Sequence, residues 1–515
     1  MEITSDSFDL VRSEKFRLPA FRLGQREIIS TIERQQDVLA VLPTGGGKSL
    51  CYQLPAVHQN QLVVVISPLI ALMKDQVQAL EKLGIPAACL HSGQSLDEKR
   101  AIFQRMGKGG TFLLYLSPER AQKEGFKNWV KTQKISLFAI DEAHCVSQWG
   151  HDFREEYGQL SILKELRPDV PILALTASAT PIVLADIAKQ LRLKNPERHV
   201  HGFYRPNLYY QVEFCEDEET KKRFLLQSLA QTPTGRVIIY CGTRKNTEAI
   251  SNMVKRQFKD TDYYHAGLNN EERTRVQEAY GRGDIRILVA TNAFGMGIDH
   301  PDVRLVLHYQ MPGNIDALYQ EMGRAGRDGK DSTCIMLYST QDKGLQSFFI
   351  RSSKAPKDII SARYRNLDAL VAYAEGGECR HSEILLYYRD AQRIKQCGHC
   401  DSCLPDSPRK IVEPDKEMKL PSTAKIRKKK NKTQANVLDG LEEERFQWLR
   451  DWRKTKASEL DMPAFIIFGD RTMRELAAEN PKSLAALEKI HGLGPMKIEK
   501  FGTELLEQLR LFQKE

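Results

Sequence analysis

The chain has 515 residues, of which 41% are hydrophobic and 28% charged, with a net charge of +9. This composition is typical of a globular protein with about three or four domains. No apolar run approaches the roughly 18 residues that a membrane span needs, and the acidic N-terminus MEITSDSFDL lacks the pattern of a signal peptide.

The first two hundred residues alternate short apolar runs with stretches that can be helical. We predict strands at 38–42, 62–67, 111–116, 137–140 and 171–177. Strands that are apolar throughout are typical of a parallel sheet covered on both faces. The sequence therefore predicts an α/β domain over residues 1–204.

A glycine-rich string, LPTGGGKS (42–49), follows the first predicted strand and leads into a helical stretch. This order lets backbone N–H groups and a helix N-terminus bind phosphates. Lys48 is predicted to reach the β- and γ-phosphates, and the Ser49 hydroxyl to bind Mg²⁺. The strict pattern has glycine where this chain has Leu42. The nucleotide-binding residues predicted here are Thr44, Gly45, Gly46, Gly47, Lys48 and Ser49.

Two carboxylates, Asp141 and Glu142, end the apolar run LFAI (137–140). Asp141 is predicted to bind Mg²⁺, and Glu142 to orient or activate the attacking water. The alternative is a glycine-rich turn plus a solvated acidic pair. The catalytic interpretation is preferred because both strings follow apolar runs in the required order.

The segment CVSQWGHDFREEY (145–157) follows these carboxylates directly. Aromatic rings interleaved with cations suit stacking on unpaired bases and contact with phosphates. The alternative is that Trp149 and Phe153 are core anchors. The predicted DNA-binding residues are Trp149, His151, Phe153 and Arg154.

A second set of apolar runs begins near Arg205, with predicted strands at 236–241, 262–267, 285–291, 304–309 and 332–338, and lacks a phosphate loop. It predicts another α/β domain, over residues 205–340, with a nucleotide held between the two domains. Its last segment, YQEMGRAGRDG (319–329), places Gln320, Arg324 and Arg327 on one helical face. Arginines presented by a second domain can stabilise the transition state of phosphoryl transfer, with Arg327 preferred over Arg324. The alternative is a solvated basic surface.

Residues 341–403 are predicted to be helical and to end in clustered cysteines; we call this range the zinc module. Four thiolates suit tetrahedral Zn²⁺ in a structural site. Half of a bacterial ferredoxin motif is the alternative, but its fourth cysteine is absent. His399 could replace one thiolate. The predicted zinc ligands are Cys379, Cys397, Cys400 and Cys403.

Residues 404–437 contain four prolines and the basic run KIRKKKNK (425–432), which predicts a linker. Such a run suits a polyanionic partner, although a solvated spacer or a nuclear-localisation signal is the alternative. Amphipathic helical patterns resume over 438–515.

Taken in order, these motifs resemble those of the RecQ family of superfamily 2 DNA helicases over roughly residues 8–403. The resemblance also rests on LTASAT, IIYCGTRKNTE and ILVATNAFGMGID. The strings most specific to RecQ are FRLGQ (21–25) and SQWGHDFR (147–154). The last segment, with LRDWRKTKASEL and GLGPMKI, is similar to an HRDC domain.

The resemblance implies an α/β fold with two RecA-like parallel-sheet motor domains, a small helical zinc module and an all-α HRDC domain. It implies that Gln25 reads the adenine edge beside Arg22, and that Gly297 and Asp299 lie at the interdomain cleft. Leu18 stands where the family often has an aromatic residue for base stacking. The winged-helix domain that follows the zinc module in many relatives is replaced here by the linker.

We therefore predict an ATP- and Mg²⁺-dependent DNA helicase that contains Zn²⁺; the resemblance adds 3′→5′ movement and a role in recombination and repair. An RNA helicase and a strand-annealing protein with weak unwinding are the alternatives. The expected partners are single-stranded and forked DNA, with single-strand-binding or recombination proteins, and no membrane. The protein is expected to be a monomer, in the bacterial cytoplasm at the nucleoid or in a eukaryotic nucleus.

Overall fold

The structure, a computed structural model, contains two α/β domains followed by helices. Among the described residues, no helix has the length and apolar character needed to cross a bilayer. The described residues are 5–91, 93–150, 153–295, 300–353, 355–415, 418, 440–460, 464–490 and 492–512.

The first α/β domain is built on a seven-stranded parallel sheet. Its strands are β1 (Val38–Val41), β2 (Leu62–Ile66), β3 (Ala87–Leu90), β4 (Phe112–Leu116), β5 (Ile135–Ile140), β6 (Ile172–Thr176) and β7 (Glu197–Val200). Their order is β3-β4-β2-β5-β6-β1-β7. Only β6 separates β1 from β5, so the phosphate loop and the acidic pair emerge at the same edge of the sheet.

Among the residues that the structure describes, ten helices flank this sheet, and their ends follow ordinary capping rules. Ser95 and Glu98 form a capping box at one helix, and Thr180 caps another whose first residue is Pro181. The helices are α1 (Ser5–Glu14), α2 (Gln25–Glu33), α3 (Leu50–His58), α4 (Ile70–Lys82), α5 (Leu96–Met106), α6 (Pro118–Ala121), α7 (Glu124–Thr132), α8 (Glu155–Gly158), α9 (Ile162–Leu166) and α10 (Pro181–Gln190). A short 3₁₀ turn, Ala143–Val146, follows the acidic pair.

The second α/β domain has a six-stranded parallel sheet in the order β10-β11-β9-β12-β13-β8. Its strands are β8 (Leu208–Phe214), β9 (Arg236–Tyr240), β10 (Thr261–Tyr264), β11 (Ile287–Ala290), β12 (Val303–His308) and β13 (Ser332–Tyr338). The helices are α11 (Glu218–Gln231), α12 (Arg244–Val254), α13 (Asn270–Arg282) and α14 (Ile315–Met322). The two parallel sheets confirm the predicted fold class.

The zinc module shares its core with both α/β domains. It contains α15 (Thr340–Ser352), α16 (Lys357–Glu375) and α17 (Arg380–Tyr388). One continuous cluster of buried side chains includes residues of both sheets and of this module. The ring of Tyr388 stacks on Phe203 with centroids 4.0 Å apart, and Asp390 accepts a hydrogen bond from the Phe203 N–H at 2.9 Å. The module therefore holds the segment that connects the two α/β domains.

The first residues of the predicted linker lie against the edge strand β8. The Gln211 side chain exchanges two hydrogen bonds of 2.8 Å with the backbone of Ile411. Ile411 is buried in the core of the second α/β domain. Residues 404–415 and 418 contain neither helix nor strand. The basic run 425–432 lies outside the described residues.

The C-terminal domain is a bundle of helices with a core of its own. Its helices are α18 (Gly440–Glu459), α19 (Ala464–Ile467), α20 (Asp470–Glu479), α21 (Leu484–Leu487) and α22 (Pro495–Leu511). The buried Arg453 pairs with Asp470 at 2.8 Å and approaches Glu378 of the zinc module at 3.8 Å. Arg450 also approaches Glu378, at 3.7 Å. These contacts dock the bundle against the zinc module.

Candidate nucleotide site and nucleic-acid interface

The phosphate loop joins β1 to α3, and its glycines have the backbone conformations that the loop requires. Gly45 and Gly47 have φ angles of +79° and +72°, a region that disfavours side chains. A Cβ on Gly46 would lie only 2.8 Å from the Pro43 carbonyl. Lys48 Nζ donates to the carbonyl of Leu42 at 3.5 Å, and the Leu42 side chain is buried. Leucine is therefore accommodated where the strict pattern has glycine.

Gln25 is buried beside the phosphate loop. Its Nε2 donates to the carbonyls of Gly46 and Gly47 at 3.2 and 2.9 Å, and its Oε1 accepts from the Arg22 N–H at 2.8 Å. The side chain predicted to read adenine thus contacts the loop predicted to bind phosphate. Adenine recognition itself stays a prediction.

Asp141 and Glu142 lie at the carboxyl end of β5. Asp141 is buried, and both this burial and the neighbouring Glu142 charge raise its pKa to about 7. The Tyr157 hydroxyl donates to the Asp141 carbonyl at 3.0 Å. Glu142 has a φ of +50°, a strained conformation for a non-glycine residue, and its carboxylate lies 3.3 Å from His144 Nδ1. Such strain is common where a side chain must be held in one direction.

The raised pKa of Asp141 predicts a pH-dependent requirement for Mg²⁺. As the predicted Mg²⁺ ligand, Asp141 would bind the ion only in its carboxylate form, so protons would compete with Mg²⁺ below about pH 7. We expect the Mg²⁺ concentration that half-saturates binding of a fluorescent ATP analogue to rise about tenfold per pH unit below this value. Glu142→Gln should move the break in this profile to lower pH, since it removes the charge beside Asp141. A profile without a break between about pH 6 and about pH 8 would contradict the prediction.

A series of hydrogen bonds leads from the acidic pair across the cleft. His144 Nδ1 pairs with the Thr176 hydroxyl at 2.9 Å, and that hydroxyl donates to the Ser178 carbonyl at 3.1 Å. The Ser178 hydroxyl accepts from Gln320 Nε2 of the second α/β domain at 3.1 Å. The geometry therefore connects the acidic pair of one domain to the arginine-bearing segment of the other.

The helix α14 ends at Met322, so the prediction that Gln320, Arg324 and Arg327 share one helical face is wrong: both arginines lie in the turn that follows, and their surroundings differ. Arg327 lies against the phosphate loop, since a Cβ on Gly45 would be 3.6 Å from its Cγ. Arg324 donates to the Gly295 carbonyl and interacts with Tyr240, both in its own domain. The structure thus brings Arg327 to the predicted phosphate site and turns Arg324 toward the second sheet.

Arg205 makes contacts that could not be predicted from the sequence around it. Its guanidinium donates to the Thr44 carbonyl at 3.5 Å and to the carbonyls of Ala325 and Gly326 at 3.0 and 3.2 Å. It therefore connects the phosphate loop to the segment that carries the candidate arginines. The only sequence signal is a single arginine between two predicted domains.

The cleft between the α/β domains encloses a cavity of about 900 Å³. Both domains line it, and it contains most of the predicted nucleotide and catalytic residues. Gly297 and Asp299 lie outside the described residues. The predicted residues that line the cavity are Arg22, Thr44, Gly45, Gly47, Lys48, Ser49, Asp141, Glu142, Gln320, Arg324 and Arg327.

The aromatic loop, residues 147–154, begins at the 3₁₀ turn that follows the acidic pair. The Ser147 hydroxyl donates to Asp186 of α10 at 2.6 Å and accepts from the Trp149 N–H at 3.2 Å. The Trp149 ring is half-buried against the core, whereas Phe153 is 39% exposed. The Arg154 N–H donates to the Cys145 carbonyl at 3.0 Å. His151 lies outside the described residues.

Four cysteines gather where α17 begins and in the loop after it. Their sulfur atoms all lie within 4.8 Å of one another. The N–H groups of Ser382 and Cys397 donate to the Cys379 sulfur at 3.5 and 3.3 Å, which suits a thiolate. Four soft donors within reach of one ion fit zinc. The clustered sulfurs belong to Cys379, Cys397, Cys400 and Cys403.

His399 lies close to this cluster, but its ring is held by the second α/β domain. Its Nε2 pairs with the Tyr204 hydroxyl at 3.0 Å, and its Nδ1 with the Leu208 carbonyl at 3.2 Å. His381 also pairs with the Leu208 carbonyl, at 3.0 Å. These contacts favour four cysteines, rather than three and a histidine, as the ligand set.

The fold and the cleft define a superfamily 2 helicase. Residues 22–187 match the family model described as DEAD/DEAH box helicase, and residues 220–329 match the helicase conserved C-terminal domain. The fold resembles that of the Mycobacterium smegmatis helicase Lhr bound to ssDNA and AMP-PNP, with a TM-score of 0.52 and 17% identity. That similarity covers 70% of this chain and 53% of Lhr.

The chain belongs to the RecQ family. Residues 340–404 match the RecQ zinc-binding model, and residues 442–509 match the HRDC domain. The chain is 33% identical to the ATP-dependent DNA helicase RecQ of Haemophilus influenzae, over 95% of this chain and 93% of the relative. The chain is also 33% identical to the ATP-dependent DNA helicase RecQ of Bacillus subtilis, over 96% of this chain and 97% of that relative. Each alignment spans 583 positions, more than the 515 residues here, so the relatives carry residues without a counterpart.

Proposed function

We propose that this protein is an ATP- and Mg²⁺-dependent DNA helicase that moves 3′→5′ on single strands and separates duplexes during recombination and repair. The observation that carries the proposal is the physical connection of the aromatic loop to the hydrolysis site. Ser147 ties this loop to α10, and Tyr157, just beyond it, bonds to the backbone of Asp141. A DNA strand bound at the aromatic loop can therefore change the positions of Asp141 and Glu142.

In this proposal each domain has a separate task. Lys48 binds the terminal phosphates of ATP, Ser49 and Asp141 bind Mg²⁺, and Glu142 orients the attacking water. Arg327 compensates the charge that develops on the transferring phosphate. The second α/β domain brings Arg327 to the nucleotide only when the cleft is closed, so hydrolysis and domain movement are coupled.

We assign the DNA contacts of the first α/β domain to Trp149, Phe153 and Arg154. The exposed Phe153 ring is available to stack on a base, and the Trp149 ring is half-buried against the core. His151 belongs to the same loop and is included in the assignment. The proposed partners remain single-stranded and forked DNA, single-strand-binding proteins and recombination proteins, and the protein acts as a monomer.

The four cysteines bind one Zn²⁺ in this proposal. The ion is structural, because four sulfur ligands leave no position for substrate or water. The protein acts where DNA is found: in the bacterial cytoplasm at the nucleoid, or in a eukaryotic nucleus.

The test is an unwinding assay on short duplexes with a single-stranded tail. We expect ATP-dependent strand separation with a 3′ tail and little with a 5′ tail or with a non-hydrolysable ATP analogue. Faster ATP hydrolysis with RNA than with DNA would favour the RNA-helicase alternative. Strand annealing without ATP-dependent separation would favour the annealing alternative, which the replacement of the winged helix by a linker makes a specific candidate.

Replacing Trp149 by alanine should remove most of the stimulation of ATP hydrolysis by DNA. Loss of one base-stacking ring costs about 1–3 kcal/mol of DNA-binding free energy, so at DNA concentrations below saturation we expect the ratio of DNA-stimulated to basal rate to fall about tenfold. Trp149→Phe, which keeps a flat ring, should retain most of the stimulation. Unchanged stimulation in Trp149→Ala would contradict the assignment, and a large fall in Tm for both variants would support the core-anchor alternative.

A further inference from the structure

Two phenylalanines stand side by side on the outer face of α15. Phe348 is 57% exposed and Phe349 is 40% exposed, and their ring centroids are 6.0 Å apart. Isolated exposed apolar residues are ordinary, but adjacent exposed rings form a surface that water solvates poorly. The rings meet at an interplanar angle of 58°, so they do not cover each other's faces. Both rings are therefore available to a ligand.

This pair lies at the mouth of the cleft between the α/β domains. Leu345, one turn before Phe349, lies against the carboxyl end of β9, because a Cβ on Gly242 would be 3.0 Å from its Cδ2. Gln346 donates to the Met311 carbonyl at 2.7 Å, which fixes α15 against the second sheet. Phe349 itself lines the cavity of the cleft. A single DNA strand that passes over the carboxyl ends of the β-strands in the second sheet would contact these rings next.

Exposed cationic side chains lie on α15 and on the neighbouring helix α16. Arg351 is exposed on α15. The Tyr364 hydroxyl of α16 donates to the Ser347 carbonyl at 3.5 Å, beside Phe348. Arg363 and Arg365, which flank Tyr364 in sequence, are both exposed. Exposed rings beside positive charges suit a ligand that has flat apolar groups and a negative backbone.

We propose that Phe348 and Phe349 bind unpaired bases of the DNA strand by stacking, and we call the pair the α15 platform. Single-stranded DNA offers accessible base faces, whereas a duplex hides them between its base pairs. This inference rests on the proposed function and adds a second stacking site to it, on a helix of the zinc module that contacts the second α/β domain. One DNA strand would then contact aromatic rings on both sides of the cleft, which move relative to each other as the cleft opens and closes.

The chain supplies a matched control for this platform. Phe214 is also 57% exposed, but it belongs to the second α/β domain, where it ends the edge strand β8. Its ring lies 6.0 Å from that of Tyr338, whose hydroxyl donates to Glu375. The surroundings of Phe214 therefore include a carboxylate, which disfavours a polyanion. Phe214→Ala removes an equally exposed ring without removing the platform.

The experiment measures the dissociation constant of a labelled oligothymidine by fluorescence anisotropy at one fixed salt concentration. We expect Phe348→Ala and Phe349→Ala each to weaken binding about tenfold, and Phe214→Ala to leave binding unchanged. Phe348→Trp should bind as well as the unaltered chain. An abasic oligonucleotide of equal length carries the phosphates without bases, so the unaltered chain and both alanine variants should bind it equally.

Three outcomes would overturn the inference. The alanine variants could bind oligothymidine as well as Phe214→Ala does, or they could lose affinity for the abasic strand to the same extent. Alternatively, Phe348→Leu, which keeps apolar bulk without a flat ring, could retain full affinity for oligothymidine, which would show that apolar contact rather than ring stacking holds the strand. If the unaltered chain fails to bind oligothymidine, the proposed function fails instead. A shared melting temperature among the variants checks that each is folded.

Discussion

Arg327→Ala is expected to lower the kcat of DNA-stimulated ATP hydrolysis by about three orders of magnitude while nucleotide affinity changes little. Arginines that stabilise the transferring phosphoryl group contribute about 10³–10⁵ in kcat. The side chain of Arg327 lies against Gly45 of the phosphate loop, the position from which it can reach a terminal phosphate. Steady-state kinetics with saturating DNA, together with binding of a fluorescent ATP analogue, separate the two quantities.

Arg324→Ala is the matched control for this prediction. Its guanidinium bonds to the Gly295 carbonyl and interacts with Tyr240, so its removal should mainly cost stability. We expect the free energy of unfolding to fall by about 2 kcal/mol, a typical value for a charged hydrogen bond. If Arg324→Ala lowers kcat more than Arg327→Ala does, the roles of the two arginines are reversed.

Cys400→Ser should abolish zinc binding. It should destabilise the second α/β domain as well as the zinc module. Cys400 is fully buried, it pairs with Tyr210 of the edge strand β8, and its carbonyl accepts the Leu404 N–H at 2.8 Å. Structural zinc commonly supplies several kcal/mol of folding free energy. A loss of about 5 kcal/mol corresponds to a fall in Tm of roughly 10–20 °C for a domain of this size.

Zinc content by elemental analysis and Tm by circular dichroism check this expectation. Cys334→Ser is the control, because Cys334, on β13, is equally buried in the same core but its sulfur is not one of the four that cluster. It should keep the zinc and lose little stability, since serine can still donate to the Met322 carbonyl that Cys334 contacts. One zinc per chain in Cys400→Ser would mean that His399 or another donor replaces the thiolate.

The sequence predicted those parts of the site in which each chemical role depends on neighbouring residues. The phosphate loop needs a strand, a glycine-rich turn and a helix within a short stretch, and the acidic pair needs only the strand before it. Both were therefore visible from residues 38–58 and 137–142. The four cysteines were recognisable for the same reason, because three of them occur within seven residues.

Contacts between distant parts of the chain were not predictable in this way. Arg205 meets Thr44, which is 161 residues away, and Ser147 meets Asp186 across 39 residues. No local pattern marks either pair, because each partner is an ordinary polar residue in its own segment. The packing of Ile411 on β8 was missed because a single isoleucine between prolines and charges gives no periodic signal.

Three strands were also missed, each for a physical reason. Strand β3 is only four residues long and contains two small alanines, so its apolar run is weak. Strand β7 lies at the edge of the first sheet, where charged residues such as Glu197 are tolerated. Strand β8 becomes more exposed at its end, where Glu213 is half-buried and Phe214 is exposed. Edge positions relax the apolar pattern by which buried strands are recognised.

Arg205 and Gln320 together indicate how little free energy separates the closed arrangement of the two α/β domains from the open one. The bond from Arg205 to Thr44 and the bond from Gln320 to Ser178 cross the cleft, and each such bond contributes about 0.5–1.5 kcal/mol. Their combined contribution changes the ratio of closed to open molecules by only about one or two orders of magnitude. A nucleotide or a DNA strand that prefers one arrangement by a similar margin can therefore redistribute the population between the two.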